Sequence, residues 1–382
     1  MKQQDVYIDQ EVLFGTDCIF KRLLPKRVFL VRGKKSYKTC GSEVFFSSFF
    51  KKYGCRVTEY YEFEDNPQIN DVVLGCELLS KSKADIIIAC GGGSVLDMAK
   101  LIRFANAYNG DLLGKIFVKN KNCIPLIAVP TTAGTGAEAT PFAVCYKEHI
   151  KYSVSHEDIL PDYAIIYPAF TYKVSPYLTA CTGFDALSQS IEAYWNINAT
   201  EESDMYAEKA ISSLWKNLPL AVHQPSPKVR QKIAEAAYWA GRSIAITKTT
   251  APHAFSYAFT TYCGYPHGHA VALTFPFFMS LNLQEKYIDR LQTGINPQSY
   301  KDKMARLRIM LGITPEQEIQ SAIECYISQL GLQNKGYKDY DIRLLLSQVN
   351  IQRLKNNPII VDDIRRNELI LYLEDKFWRT HE

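Results

Sequence analysis

Histidines are sparse in this sequence, and three of the seven lie close together. His253, His267 and His269 all fall within residues 251–269. The helix-forming and aromatic residues after His253 predict a helix that ends at Cys263–Gly264, with His253 near its start. His267 lies between a proline and a glycine, which is a tight backbone setting. Two imidazoles around one helix indicate a shared divalent metal ion, although ordinary buried histidines also fit this pattern.

Two polar residues in another predicted helix could complete such a site. Asp185 and Gln189 are four residues apart, so on a helix their side chains share one face. A carboxylate oxygen and an amide oxygen could join two imidazoles around a divalent ion. Spacing alone equally fits ordinary polar residues in the first turns of a helix.

Composition excludes several classes of protein. The chain has 382 residues and a net charge of +4, so two domains are expected and no charge pattern suggests nucleic acid binding. No apolar run is long enough to span a membrane, and the first residues lack the apolar core of a secretory signal. Ten cysteines are scattered without a CxxC pair, which is typical of reduced thiols. We therefore expect a cytoplasmic protein.

Strand and helix patterns alternate in the first part of the chain, which predicts an α/β domain with a parallel sheet. Residues 5–14 predict an edge strand or a hairpin. The other strands are expected at residues 27–32, 56–61, 84–90, 124–129, 152–155 and 163–167, and the helices at 45–53, 68–82 and 95–105. Helical patterns dominate after residue 177. The sequence therefore predicts domains at 1–177 and 178–382.

Two loops of the first domain have the composition of a nucleotide site. Gly91, Gly92, Gly93 and Ser94 separate a buried strand from a helix, which lets a diphosphate approach backbone N–H groups and the positive end of the helix. A simple tight turn would also explain these glycines. The hydroxyls of the second loop, which suit a nucleotide at a sheet edge, belong to Thr131, Thr132 and Thr135. A flexible surface loop is the alternative for this segment.

Four stretches together resemble the iron-containing (group III) alcohol dehydrogenases. They are Gly91–Lys100, Pro130–Glu138, Gly183–Leu187 and Pro266–Gly268, in the order that the family shows. The resemblance covers about residues 5–380. It implies a Rossmann-like nicotinamide-binding domain followed by an all-helical domain, as in the dehydroquinate synthase-like fold, with one divalent metal ion and the substrate in the cleft between them.

The resemblance also implies site residues, with two departures from the family pattern. Asp185, His253 and His267 match three metal ligands of the family, which binds Fe²⁺ or Zn²⁺. The fourth ligand, normally histidine, is Gln189, whose neutral oxygen is the weaker donor. A second histidine that faces the nicotinamide in many members is replaced by Tyr257. We expect the metal to be retained; without it, Lys248 or Tyr257 would have to stabilise the developing alkoxide.

Within the family, the segments around Gln189, Lys248 and His267 resemble the phosphonoacetaldehyde reductases, which form 2-hydroxyethylphosphonate. We therefore predict an anionic substrate held by Lys248, His269 and Arg242. A lysine near the inner end of a helix needs an anionic partner when it is buried. The alternatives for Lys248 are exposure to solvent or an ion pair with Glu192.

Cofactor choice is predicted from the end of the first long strand. Gly33 and Lys34 stand there without an acidic residue, so NADP(H) is expected to be accepted and NAD(H) use remains open. Asp97, in the helix after the glycine turn, is either a polar contact to the cofactor or a first-turn charge that suits the helix dipole. The resemblance places Lys151 at the nicotinamide ribose, and a surface charge is the alternative. A neutral aldehyde as substrate and a dehydroquinate synthase-like lyase stay open as functions. A homodimer or larger homo-oligomer is expected.

Overall fold

The computed structural model describes residues 3–114, 116–148, 150–314, 317–333, 341–347, 349 and 351–378. The chain divides into two compact units. Unit 1 contains Met1–Val174 and Ser226–Gly241, and unit 2 contains Ser175–Pro225 and Arg242–Glu382. The division between residues 177 and 178 stays a prediction. Residues 226–241 belong to unit 1 by their contacts. A prediction with a single boundary cannot describe a unit that is made of two separate segments.

A parallel sheet is predicted for unit 1 and is confirmed, although the strand predicted at residues 152–155 belongs to an antiparallel pair. Unit 1 contains ten strands among its described residues. They are β1 (Asp5–Ile8), β2 (Arg27–Arg32), β3 (Arg56–Tyr60), β4 (Ile86–Gly91), β5 (Tyr108–Asn109), β6 (Val118–Lys119), β7 (Leu126–Pro130), β8 (Phe142–Lys147), β9 (Ile150–Ser155) and β10 (Tyr163–Ile166). The main sheet among the described residues has the order β1-β10-β7-β4-β2-β3, and all of its pairs are parallel. Two antiparallel pairs, β5–β6 and β8–β9, stand apart from it.

The first strand shows where the sequence prediction was only half right. β1 is an edge strand, as expected, but the chain then enters a helix at Val12 and forms no hairpin. The inner strands β4, β7 and β10 are buried along their whole length, as expected for a parallel sheet that is covered on both faces. Ile86, Ile88 and Cys90 of β4 pack into one core cluster, while Ile87 and Ala89 pack into the other.

Helices cover the sheet in unit 1 and make up most of unit 2. They are α1 (Val12–Leu23), α2 (Ser36–Thr39), α3 (Ser42–Tyr53), α4 (Ile69–Ser82), α5 (Gly93–Ala107), α6 (Pro176–Trp195), α7 (Glu201–His223), α8 (Pro227–Thr247), α9 (Ala251–Cys263), α10 (His267–Leu283), α11 (Pro297–Met310), α12 (Ile319–Gln329), α13 (Ile342–Ser347), α14 (Ile351–Leu354) and α15 (Asp363–Trp378). No described helix is both long and apolar enough to be a membrane span.

Helix α6 is the centre of unit 2. It is buried on nearly every side and packs against α7 and α10, while α10 in turn packs against α9 and α12. A helix buried all round is normally apolar, so each polar side chain that it carries requires a partner. Three such residues, Asp185, Gln189 and Glu192, lie on α6 within two turns of one another.

Candidate functional site

Three side chains of unit 2 meet in a cluster that could hold a metal ion. Asp185 comes from the middle of α6, His253 from the first turn of α9, and His267 from the first residue of α10. One ligand atom from each lies within 4.8 Å of the other two. Asp185 Oδ1 is 3.1 Å from His253 Nε2 and 3.9 Å from His267 Nε2. The structure thus brings together three of the four predicted metal ligands.

A glycine sets the distance between α10 and α6. A Cβ atom on Gly268 would lie 1.9 Å from the carbonyl oxygen of Cys181 and 3.0 Å from the Cβ of Asp185. No side chain can occupy that space, so only glycine lets the start of α10 come this close to α6. The residue next to it, His267, is thereby brought beside Asp185.

Glu192 fixes the orientation of His253, a role that the sequence analysis did not assign to it. This carboxylate is fully buried and accepts a hydrogen bond from His253 Nδ1. Its other oxygen accepts hydrogen bonds from the backbone N–H of Thr250, at 2.6 Å, and from the Thr250 hydroxyl, at 2.9 Å. With Nδ1 donating to Glu192, His253 directs Nε2 towards Asp185, as ligating histidines do in metal sites.

The charge of this cluster favours a cation. Burial lowers the pKa of His253, but the charge of Glu192 and hydrogen bonds to Asp185 and Glu192 outweigh it and raise the pKa to about 9. The two carboxylates that stabilise a proton on this ring would also stabilise a metal ion in its place.

Gln189 provides the test of whether a metal ion fits these residues. Its side chain is buried one helical turn after Asp185, and its Oε1 atom has no hydrogen-bond partner among the residues that the structure describes. Leaving a buried acceptor unpaired costs about 1–3 kcal/mol, so such atoms usually have a ligand or partner. A carboxylate, two imidazoles and an unpaired amide oxygen are a suitable donor set for one divalent ion.

Tyr257 lies directly beside the cluster, one turn after His253 on α9. Its ring stacks on the His267 ring with centroids 5.5 Å apart and planes within 2° of parallel. Burial raises the pKa of the phenol, the nearby Arg353 partly opposes this, and so the hydroxyl is protonated at neutral pH. Arg353 Nη1 donates a hydrogen bond of 2.5 Å to Tyr257 Oη. Sequence reasoning missed Arg353, because it lies far along the chain in no motif.

The three predicted substrate residues lie in different surroundings from those expected. Lys248 is exposed at a left-handed position (φ 62°) just after α8, which agrees with the alternative of solvent exposure and not with a buried lysine. Glu192, named as the alternative ion-pair partner, is bonded to His253 and Thr250 instead. Glycine-like backbone geometry turns the lysine outward at the end of the helix.

His269 and Arg242 are each held by other protein groups. His269 is fully buried, donates from Nε2 to the carbonyl oxygen of Gln333 and accepts at Nδ1 from the Tyr177 hydroxyl. Both ring nitrogens are therefore engaged by protein groups, and the substrate contact of His269 stays a prediction. Arg242 lies over the Tyr206 ring, donates to its hydroxyl and is 3.6 Å from a carboxylate of α7. That ion pair, rather than a substrate, satisfies its charge in this structure.

The predicted nucleotide loops of unit 1 lie together at the carboxyl ends of β4 and β7. The backbone N–H of Thr131 donates a hydrogen bond to the carbonyl oxygen of Gly91. A Cβ on Gly93 would lie 2.7 Å from the Thr135 side chain. The Thr132 hydroxyl would be 3.6 Å from a Cβ on Gly92. Within the described part of the chain, the buried hydroxyl of Thr131 has no hydrogen-bond partner. This unpaired hydroxyl and the glycine backbone at the start of α5 fit a bound diphosphate.

A cleft of about 760 Å³ opens beside these glycines. Gly33, Lys34 and Ser36 line it from the end of β2, and Gly92–Ser94 lines it from the start of α5. The predicted cofactor residues Gly33 and Lys34 are therefore close to the glycine turn. The cleft also contains two carboxylates, Glu64 and Asp65, which the sequence analysis did not consider.

Asp97 and Lys151, the remaining predicted cofactor residues, have contacts within unit 1. Asp97 accepts a hydrogen bond of 2.9 Å from the backbone N–H of Val144 and lies 3.5 Å from Lys100. Lys151 is half-buried on β9, close enough for its charge to lower the pKa of Asp97, although burial of Asp97 has the larger, opposite effect. These contacts give Asp97 a structural partner, and a cofactor contact of either residue stays a prediction.

Comparison with known proteins identifies the family to which this chain belongs. The profile described as iron-containing alcohol dehydrogenase matches residues 4–168, and that of the C-terminal part of the Fe-containing alcohol dehydrogenase family matches residues 179–357. An alcohol dehydrogenase of Thermococcus barophilus is 31% identical over 288 residues, 71% of this chain and 75% of that protein. A long-chain-alcohol dehydrogenase of Geobacillus thermodenitrificans is 33% identical over 236 residues, 60% of each protein. The alignments to several curated relatives thus span less than two thirds of their length, 60% and 56% in two cases.

Solved structures agree over the whole chain. An iron-containing alcohol dehydrogenase of Thermotoga maritima is 27% identical, covers 98% of both chains and has a TM-score of 0.80. A sulfoacetaldehyde reductase of Bifidobacterium kashiwanohense, solved in complex with NAD⁺, is 25% identical, covers 99% of this chain and 98% of that chain, and has a TM-score of 0.82. The family resemblance drawn from the sequence is confirmed, and the narrower one to phosphonoacetaldehyde reductases stays a prediction. This chain belongs to the iron-containing alcohol dehydrogenase family.

Proposed function

We propose that this chain is a nicotinamide-dependent oxidoreductase that interconverts a short aldehyde and its alcohol. The observation that carries the proposal is the buried cluster of Asp185, His253 and His267, with the unpaired amide oxygen of Gln189 one turn away. Family membership supports the reaction class, and relatives such as the 1-propanol dehydrogenase of Citrobacter freundii bear names of this class. The fold by itself would not support this reaction class, because one fold can host many different reactions.

The metal ion would be held by the oxygens of Asp185 and Gln189 and by the Nε2 atoms of His253 and His267. Such an ion polarises a carbonyl oxygen and stabilises the negative charge that develops on it. Glu192 keeps His253 in the tautomer that leaves Nε2 to the ion. Tyr257, protonated and stacked on His267, would donate a hydrogen bond to the same oxygen. Lys248 is exposed, so we assign it no part in this step.

The nicotinamide cofactor would bind through the glycine and threonine loops of unit 1. Backbone N–H groups at Gly92–Ser94 and the buried hydroxyl of Thr131 suit its diphosphate. Lys34 in the adjoining cleft supports acceptance of NADP(H), whereas Glu64 and Asp65 in the same cleft oppose an extra phosphate. The similar sulfoacetaldehyde reductase was solved with NAD⁺. We therefore propose NAD(H) as a cofactor and NADP(H) as an accepted alternative.

The substrate that we propose is phosphonoacetaldehyde, reduced to 2-hydroxyethylphosphonate. The motifs around Gln189 and Lys248 support this choice, and so does the likeness to a sulfoacetaldehyde reductase, whose named substrate is also a two-carbon aldehyde with an acidic group. A neutral short-chain aldehyde is the second candidate, because several relatives are named as alcohol dehydrogenases of neutral alcohols. A cytoplasmic location and a homo-oligomeric state stay predictions.

The test is oxidation of NADH and of NADPH by the purified protein with phosphonoacetaldehyde, sulfoacetaldehyde and propanal. The assay is run after metal removal and again after addition of Fe²⁺ or Zn²⁺. We expect turnover that requires the metal and is fastest with an acidic aldehyde. Turnover that persists without metal would contradict the role of the Asp185 cluster. Equal rates with propanal and with the acidic aldehydes would still support an aldehyde reductase, but they would reject an acidic aldehyde as the preferred substrate.

A further inference from the structure

Arg353 of α14 contacts Tyr257, the residue that stacks on His267 of the Asp185 cluster. Its Nη1 donates to the Tyr257 hydroxyl, and its guanidinium carbon is 5.2 Å from the centre of the Tyr257 ring. The same ring stacks on His267 with centroids 5.5 Å apart. Tyr257 therefore contacts both a positive charge and a candidate metal ligand.

The charge of Arg353 has no carboxylate partner among the described residues, although the side chain is half-buried. Several other arginines of unit 2 are paired with acids: Arg306 with Glu208, Arg343 with Glu374, and Arg365 with Glu368. A guanidinium offers five N–H donors in a planar fork, and the contact with Tyr257 uses one of them. A partly desolvated cation with unused donors is a suitable site for an anion.

The two neighbouring groups suit two ends of one small molecule. A carbonyl oxygen belongs at the Asp185 cluster, where a metal ion and the Tyr257 hydroxyl would stabilise negative charge. An oxyanion belongs at Arg353, whose fork matches two oxygens of a phosphonate, sulfonate or carboxylate. Lys248 had been assigned this second role from the sequence, but it is exposed.

We propose that Arg353 is the residue that binds the acidic group of the substrate and so determines the substrate class. This inference rests on the proposed function and deepens it, because it assigns selectivity for a short aldehyde with a terminal oxyanion to one side chain. Arg353 takes no part in hydride or proton transfer, and it contributes by holding the acid end while the aldehyde end is at the cluster.

The test compares Arg353→Gln with Arg365→Gln. Arg365 is the matched control, because it also lies over a tyrosine ring, that of Tyr287 at 5.0 Å, but is paired with Glu368. We expect Arg353→Gln to lower kcat/KM for phosphonoacetaldehyde relative to propanal by about 10–100-fold, mainly through KM, since a charge-assisted contact to the substrate is lost. Arg353→Lys should retain part of this selectivity, and Arg365→Gln should retain all of it.

Equal loss of activity towards both aldehydes in Arg353→Gln and Arg353→Lys would overturn the proposal, because it would show that Arg353 only positions Tyr257. Unchanged selectivity in Arg353→Gln would overturn it as well. Should Arg353→Gln fail to fold, the Arg353→Lys variant decides, since it keeps the charge and loses the fork.

A second measurement separates this proposal from the reaction itself. Binding of ethylphosphonate and of ethanesulfonate is titrated calorimetrically, without cofactor, against the wild type, Arg353→Gln and Arg365→Gln. Anion binding that Arg353→Gln abolishes and Arg365→Gln retains would support the proposal even if no aldehyde were reduced, in which case only the proposed reaction would fail. Absence of anion binding to the wild type, or binding that Arg353→Gln leaves unchanged, would overturn it.

Discussion

The glycine–threonine loops of unit 1 and the Asp185 cluster of unit 2 are built in opposite ways. The loops present mainly backbone, and their residues come from two short stretches, Gly91–Ser94 and Thr131–Thr135, at the ends of neighbouring strands. The cluster presents side chains from three buried helices: α6, and the consecutive helices α9 and α10, which follow α6 at a distance of more than fifty residues. A backbone site depends on empty space at glycines, whereas a side-chain site depends on partners that fix each ligand.

This difference determines which substitutions should matter in each region. In the loops, adding a methyl group at Gly91 or Gly93 is the damaging change, because neighbouring side chains already occupy those two Cβ positions. In the cluster, changing a charge or a donor is the damaging change, because each buried polar group is held by another. Gly268 is the exception within the cluster, since there too a missing side chain sets the packing.

The largest effect is expected for Asp185→Asn. Loss of this carboxylate removes the only anionic ligand among the described residues of the cluster, and changes to groups outside the ligand shell already cost about 10–100-fold in metal affinity. We therefore expect zinc affinity to fall by more than about 100-fold, measured by competition with a chromogenic chelator. Asp204→Asn, which removes a carboxylate paired with Lys303 on other helices, is the control and should keep wild-type affinity. Similar affinity in Asp185→Asn and wild type would place the metal elsewhere.

A smaller effect is expected for Glu192→Gln, which tests whether His253 depends on a charged orienting group. The substitution keeps the size of the side chain and removes its charge, so metal affinity should fall by about 10–100-fold. Glu324→Gln is the control, because Glu324 accepts from Tyr372 and Lys376 in another part of unit 2. If both variants bind metal equally well, Glu192 serves stability rather than the site.

In unit 1, Gly93→Ala should destabilise the fold more than Gly92→Ala. The added Cβ would lie 2.7 Å from Thr135 at the first position and no closer than 3.6 Å to any other atom at the second. Overpacking of this kind costs about 1–3 kcal/mol, which urea unfolding of both variants would measure. Metal affinity should be unchanged in both. Equal stability of the two variants would mean that the Thr135 side chain moves away from the extra methyl group at little energetic cost.

The smallest effect is expected for Gln189→His, which restores the ligand type usual in the family. Imidazole is the better donor for Fe²⁺ and Zn²⁺, so metal affinity should rise by about tenfold. Gln189→Leu, similar in size and without a donor, should lower it. The same chelator competition measures both. If neither variant changes the affinity, the unpaired oxygen of Gln189 is not a ligand.

Much of the fold was accessible from sequence because its signals are local. Apolar strands such as Ile86–Gly91 and the glycine turn that follows are readable within ten residues, and the helix after His253 ends at Gly264 as predicted. The resemblance to the family supplied Asp185, His253 and His267. The order of the strands and the packing of α10 on α6 through Gly268 depend on contacts between distant segments, which no local pattern encodes.

The sequence by itself determined the α/β class, the glycine and threonine loops and the identity of the candidate metal ligands, because those features lie in short stretches with characteristic residue types. Only the tertiary structure decided what surrounds them. In the folded chain Lys248 is exposed, and both ring nitrogens of His269 are hydrogen-bonded. Glu192 accepts a hydrogen bond from His253, and Arg353 donates one to Tyr257. The physical reason is that burial and hydrogen-bond partners are set by packing between segments distant in the chain, and a side chain's chemistry follows from those partners.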